Sequence, residues 1–340
     1  MVSKSSREGV QSQSKRLARC VSVIIAAMSL IVAIDIGGTH IRAAAYAPES
    51  TRPIAHHKTR SLARTPGVFD RLVEAVQAVW QEGQVAAIGI ASPGPLDPHT
   101  GTILDTPNIP EWANFPVASK LTERFGVPAY LDNDANLACL AEWQFGAGKG
   151  HSDVVYLTIS TGIGGGVVSN NRLLQGYHGM GAELGHMTID PNGPVCGCGH
   201  RGHVEAFSSG PAIARYVNER LTAGDKSTLQ PDPNLTPAQI ADAALKGDAL
   251  AISAYARAGE YLGIAVANYL AIFDPSILIF GGGVSQTGDL LFTPFEESLR
   301  QHVFHPHYLD NLTITRAALG DDAGLLGALA LARLALNGKK

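Results

Sequence analysis

The sequence reads as an α/β protein built in two lobes with a central cleft, and three features carry that reading. At 340 residues the chain is longer than a single hydrophobic core usually organises. A strand, a glycine turn and a second strand occur twice, near the start and near the middle, which suggests a duplicated lobe plan. The 37 glycines and 19 prolines stand beside apolar runs and not at a fixed period, so the chain is ordered and turn-rich, neither disordered nor collagen-like.

Residues 1–27 pair a basic segment with an apolar one, as a secretory signal does, but the apolar stretch runs without a cleavage-type break into IVAIDIGGTH. Cutting there would damage the first strand, so these residues are expected to be a disordered tail or an upstream misassigned start, with the fold beginning at Met28. Leu30 to Ile36 is a β-rich run stopped by Gly37-Gly38, and Ile41 to Ala47 returns as a second strand. A helix is predicted from about Gly67 to Gln81, then a buried strand in VAAIGIA, a Pro/Gly/Asp-rich loop from Ser92 to Trp112, a helix from Val117 to Phe125 and a strand ending at Leu131. A helix from about Asp134 to Phe145 precedes DVVYLTIS, the turn TGIGGG and GVVSNN. After a loop-rich stretch, mostly helical segments run to Phe273, interrupted by the polar GDKSTLQPDPNLTP. SILIF ends in GGGVS, NLTITRA reads as a late strand, and DDAGLLGALALARLAL as a terminal amphipathic helix able to return to the first lobe. The smaller lobe is therefore expected over 28–135 plus 323–338 and the larger over 136–322, including the loop 183–205.

With 26 basic and 30 acidic residues, a net charge of -4 and no long single-sign run, the chain lacks the electrostatic footprint of a nucleic-acid binder and favours a small-molecule partner. Four cysteines in a chain this long, two of them as Cys-x-Cys, do not make a disulfide framework and fit a reducing, cytoplasmic compartment with no membrane partner.

Three constellations can carry chemistry. In DIGGTH, Gly37 and Gly38 let backbone N–H groups approach phosphate oxygens, Thr39 adds a hydroxyl, and Asp35 can reach Mg²⁺ directly or through water; a plain hairpin turn uses the same residues. STGIGGG (Ser160–Gly166) repeats the ingredients, and Gly281 to Gly283 supplies a third glycine-rich strand exit. Neither the Gly-Lys-Ser/Thr loop nor Gly-x-Gly-x-x-Gly after the first strand is present, so P-loop and Rossmann readings are set aside. In LDNDANLACLAEW, Asp134 opens a helix whose dipole keeps a carboxylate ionised and able to accept a proton from an alcohol; an ordinary N-cap is the bland alternative. Asn133 and Asn136 beside it suit sugar hydroxyls or capping. Finally, Glu183, His186, Cys196, Cys198, His200, His203 and Glu205 fall within 23 residues rich in glycine and proline, a composition suited to a four-coordinate structural Zn²⁺.

Taken together, DIGGT, NDAN, STGIGGG, AELGH and CGCG resemble, in order and approximate spacing from Met28 to about Leu336, the ROK family of bacterial sugar kinases. The resemblance implies the two-lobed actin-like ATPase (ribonuclease H-like) fold. It implies two phosphate loops at Asp35 to Thr39 and Thr161 to Gly166, with Asp35, Gly37, Gly38, Thr39, Thr161, Gly162 and Gly164 serving ATP and Mg²⁺, and Gly281, Gly282 and Gly283 on the nucleoside side. Asp134 corresponds to the catalytic base. Gly94, Asn108, Asn133, Asp134, Glu183, His186 and Glu205 correspond to sugar contacts, where carboxylates and amides accept several hydroxyl hydrogen bonds at once. The implied zinc set is His186, Cys196, Cys198 and His203. Members usually place a cysteine where this chain has His203, and His200 is an alternative ligand. His186 would face zinc through one ring nitrogen and a sugar hydroxyl through the other.

The expected activity is ATP-dependent phosphorylation of a hexose at its 6-hydroxyl. Glu183 in AELGH resembles glucokinase-type members, so glucose comes first; N-acetylmannosamine, N-acetylglucosamine, mannose and fructose stay open. The alternative of another class is a non-catalytic sugar sensor or a repressor relative. About thirty Ser-rich residues precede the first strand, too few for a helix-turn-helix module. A homodimer or homotetramer is implied by resemblance alone.

Overall fold

The computed structural model describes residues 29–105 and 109–338. The expected start at Met28, the tail 1–27 and Asn108 lie outside the described residues. Contacts divide the chain into two units, Met1–Asp134 with Gly324–Lys340, and Ala135–Ala323.

In the first unit, β1 (Leu30–Ile36), β2 (His40–Tyr46), β3 (Pro53–Arg60), β4 (Val85–Ser92) and β7 (Ala129–Asn133) form one sheet in the order β3-β2-β1-β4-β7. β1, β2 and β3 pair antiparallel, whereas β4 and β7 run parallel to β1. Val32, Ile34, Ile36, Ile41 and Ala43 alternate onto one face, where they bury with residues of α1 (Val68–Gln77) and α2 (Val117–Phe125) such as Leu72, Val76 and Leu121. The opposite face takes the terminal helix, whose backbone passes so close at Ala328 that a Cβ on Gly89 would overlap its carbonyl. Gly89 is there because only a residue without a side chain admits that approach.

The second unit repeats the plan. β8 (Val154–Ile159), β9 (Ile163–Ser169), β10 (Arg172–Leu173), β11 (Ile277–Gly281) and β12 (Thr313–Arg316) take the order β10-β9-β8-β11-β12, with the first three antiparallel and the last two parallel to β8. Its helices are α3 (Asp134–Phe145, whose first residue belongs to the other unit), α4 (Glu205–Ser208), α5 (Gly210–Thr222), α6 (Pro237–Leu245), α7 (Ala249–Phe273) and α8 (Asp289–His302); α9 (Ala323–Leu336) leads back to the first unit. Gly259 and Gly263 of α7 approach the α8 backbone at Leu291 and Phe295 closely enough to exclude any side chain.

Several expected elements differ in detail. The first helix stops at Gln77, four residues early, and the strand after α2 continues to Asn133, so strand passes into helix at Asp134 without a loop. The stretch from Ser92 to Trp112 contains a small hairpin, β5 (Leu96–Asp97) with β6 (Thr102–Ile103). Strand β3 has no counterpart in the sequence reading: Pro53 and the run HHKTR mask it, because as an edge strand it needs only half a pattern and carries charges outward.

The Gly89 approach yields a stability test. Gly89→Val forces a branched side chain into the Ala328 backbone and is expected to cost about 1–3 kcal/mol, read as a lower urea midpoint; an unchanged midpoint would contradict this packing.

Candidate functional site

In each unit the parallel strands finish at one end of the sheet, and some of the candidate residues stand there. In the first unit, β1, β4 and β7 end beside Gly37, Gly94 and Asp134, respectively, and the register pairs Asp35 with Ala91 and Ser92 with Asn133. Ligands in α/β proteins gather at such carboxyl ends because loops and helix N-termini converge there. The Gly37–Thr39 turn is partly to fully exposed and held from behind: Gly37 N–H donates to the His40 carbonyl (2.8 Å), Ser61 N–H to the Thr39 carbonyl (3.0 Å) and the Ser61 hydroxyl to the Gly38 carbonyl (2.8 Å). Those carbonyls are thereby turned inward. Ser61 is completely buried and was not singled out in the sequence, since a serine after a strand carries no local signal of a partner 23 residues earlier.

Asp134 is exposed at the first position of α3, whose remaining first two turns are buried all round. Asn133 is half-buried, with its N–H on the Asp132 carboxylate at 2.7 Å. Gly94 is its neighbour, since a Cβ there would stand 3.3 Å from Asn133 Nδ2. Asn136, by contrast, is buried within the helix.

In the second unit, β8 and β11 end side by side, Gly281 facing Thr158 in the register. Gly282 has φ +83° and lies against the Ile159 backbone, where a side chain would be both strained and overlapping. Ser160, Thr161 and Gly283 line one cavity of about 890 Å³. The other walls come from segments the sequence reading passed over, chiefly Gly210, Pro211 and Arg215 of α5 and the loop Pro233–Pro237. That loop is fixed by a reciprocal pair, Asn218 Nδ2 donating to the Asp232 carbonyl (2.9 Å) and Asp232 N–H to Asn218 Oδ1 (2.9 Å), and by a capping box between Thr236 and Gln239. Gly162, Gly164, Gly281 and Gly282 lie in the flanking turns and strands and do not line the cavity themselves.

Glu205 opens α4 and links two of the sequence constellations. One carboxylate oxygen accepts the Ile163 N–H at 2.9 Å, just past the second glycine turn, and the other accepts from Cys196 Sγ at 3.2 Å. A Cβ on Gly162 would come within 2.6 Å of the same carboxylate and would require the Glu205 side chain to shift. Ligand atoms of His186, Cys196, Cys198 and His203 all lie within 4.8 Å of one another, a group able to hold one metal ion. His186 Nδ1 stands 3.7 Å from Cys196 Sγ, and His203 Nδ1 3.3 Å from Cys198 Sγ. His200 Nδ1 reaches Cys198 at 3.7 Å but is not part of the four-residue group. The loop closes through Cys196 N–H on the His200 carbonyl (2.7 Å) and through Gly199 and Gly202, both at positive φ.

Burial pushes the Cys196 thiol up to about 12, with the Glu205 and Cys198 side chains adding to it, so a metal binding there must displace the thiol proton. Burial, then His186 and His200, lower His203, which keeps its imidazole neutral as a ligand must be. Glu183 as a residue is exposed, yet loss of solvent around its carboxyl raises it, opposed by His186 and reinforced by Glu205.

Two like-built sheets, each offering a glycine turn between its first two strands, define an actin-like ATPase fold. The ROK family model matches residues 31–335, and the chain belongs to that family. It is 37% identical over 315 residues to a glucokinase of Thermotoga maritima, covering 91% of this chain and 98% of the relative. A xylose repressor of Caldicellulosiruptor bescii is 33% identical over 268 residues, 78% of this chain and 67% of the repressor. Among solved structures, a ROK family glucokinase from Streptomyces griseus in complex with glucose and AMPPNP superposes with a TM-score of 0.73 at 35% identity, over 90% of this chain and 99% of that one.

The ligand geometry separates the two histidines. His203→Ala is expected to abolish metal retention on purification, read by elemental analysis, whereas His200→Ala keeps the metal; the reverse pattern would reassign the fourth ligand.

Proposed function

We propose that the chain transfers the γ-phosphoryl group of ATP to the 6-hydroxyl of a hexose, with glucose the preferred acceptor. The observation that carries this reading is Asp134, an exposed carboxylate at the start of a buried helix, at the sheet edge that also presents the Gly37–Thr39 turn. Its carboxylate accepts the O6 proton as O6 attacks the γ-phosphorus in line; the bond to the β-bridging oxygen breaks and its electron pair leaves with ADP. Backbone N–H groups of Gly38 and Thr39, and of Thr161, Gly162 and Gly164, would bind phosphate oxygens, with Gly37 shaping the first turn. Mg²⁺, when bound with the nucleotide, would neutralise charge on the phosphates, and Asp35 would hold it directly or through water. The cavity beside Gly283, with its prolines, Leu290 and a few polar groups, suits the nucleoside.

On the first unit, Gly94, Asn108, Asn133 and Asp134 are the proposed sugar contacts, and on the second Glu183, His186 and Glu205. The metal is zinc, since two thiols and two imidazoles at these separations match its tetrahedral preference. It would fix His186 through Nδ1 and leave Nε2 for a hydroxyl. Among the described residues no helix is long and apolar enough to cross a membrane, and the enzyme is proposed to work in the cytoplasm as a homodimer or homotetramer. The identity to a xylose repressor favours one second reading, a sugar sensor without turnover.

ATP consumption with Mg²⁺ across glucose, mannose, fructose and the N-acetylhexosamines, with the product's phosphate position read by NMR, decides between them. Glucose-dependent turnover to a 6-phosphate is expected. Sugar binding without turnover would favour the sensor, and a higher kcat/KM on an N-acetylhexosamine would move the substrate.

A further inference from the structure

Asp35 does not stand alone at the first glycine turn. Arg42 faces it directly across the antiparallel β1–β2 register, which puts both side chains on one sheet face. Arg42 Nε donates to Asp35 Oδ2 at 2.9 Å, and one of its terminal nitrogens donates to the same oxygen. The side chains are only 22% and 15% exposed, so the pair is poorly screened. The same face continues outward with cations: Lys58 lies opposite Arg42, and Arg60 opposite His40, both exposed on the edge strand. From the other side Gly324, in the first turn of α9, comes so near that a Cβ there would stand 2.8 Å from the Asp35 carboxyl carbon.

We infer that Arg42 is an internal counter-ion that closes Asp35 to free divalent metal, and that it passes to the nucleotide phosphates when metal arrives as the ATP complex. The inference rests on reading Gly37–Thr39 as a phosphate loop. A bare divalent cation approaching Asp35 meets a carboxylate already compensated and a face carrying Arg42, Lys58 and Arg60, so it is repelled. A metal–nucleotide complex is net negative and is attracted by that same face. Its phosphate oxygens offer Arg42 a bidentate acceptor of the kind a guanidinium prefers, which frees Asp35 to face the metal. Metal and nucleotide would therefore bind as one unit, and the chain would hold no metal at Asp35 between turnovers.

The test uses Mn²⁺ as the metal probe, followed by the free Mn²⁺ signal in electron paramagnetic resonance, with the full chain and AMPPNP as the nucleotide. Without nucleotide, wild type and Asp35→Asn are expected to titrate alike, showing no metal at Asp35. Arg42→Gln should gain a Mn²⁺ site at least roughly tenfold tighter, the effect of removing one close positive charge, and the double variant with Asp35→Asn should lose it. Arg42→Lys keeps the charge and should keep metal out. With AMPPNP present, Arg42→Gln should weaken Mn²⁺–AMPPNP binding by about tenfold or more, and Arg42→Lys by less. Equal Mn²⁺ titrations of wild type and Arg42→Gln, or equal Mn²⁺–AMPPNP binding by the two, would overturn the inference while leaving the kinase reading intact. Failure of wild type to bind Mn²⁺–AMPPNP would instead sink the phosphate-loop reading and the hand-over with it.

Discussion

Phosphate groups are bound by backbone N–H only where the backbone can come within hydrogen-bond distance of them, and that approach depends on positions with no side chain. The same condition recurs wherever this chain brings its site together. Gly282 lies against the Ile159 backbone, Gly162 against the Glu205 carboxylate, and Gly324 against Asp35. A Cβ at Gly282 would meet the Ile159 backbone, and one at Gly162 or Gly324 would displace the carboxylate beside it. Hence the glycines are spacers whose size fixes where the carboxylates stand, besides being turn formers.

A duplicated topology supplies two such edges from one plan. Each sheet runs as three antiparallel strands followed by two parallel ones, so each sets a glycine turn between its first strands at the carboxyl end of the parallel set. The roles then diverge. In the first unit the turn adjoins Asp35 and its partner Arg42; in the second the turn bonds to Glu205 and contributes Ser160 and Thr161 to the proline-walled cavity. Glu205 is the joint between them, touching both the turn at Ile163 and the cysteine at 196, so loss of the metal loop would be felt at the glycine turn.

What was legible in the sequence was whatever is local. Runs such as LIVAIDI and SILIF announce central strands because both faces are buried, and the Cys-x-Cys pair with neighbouring histidines announces a metal group because its ligands lie within one loop. What escaped is made by distant partners. Ser61 props a turn 23 residues away, and Asn218 pins the loop that walls the cavity through Asp232. The Arg42 pairing with Asp35 follows from strand register, which the hairpin reading implied but did not place residue by residue. Strand β3 escaped for the opposite reason, since an edge strand that advertised itself with apolar residues would invite pairing with other chains.

Asp134 as proton acceptor is tested most directly by pairing turnover with binding in one variant. Asp134→Asn preserves size while removing the base, so ATP-dependent sugar phosphorylation is expected to fall by about 10²–10⁴-fold, with the calorimetric Kd for glucose changed only a few-fold. Near-wild-type turnover in that variant would contradict the assignment, and so would a loss of activity explained entirely by lost glucose binding.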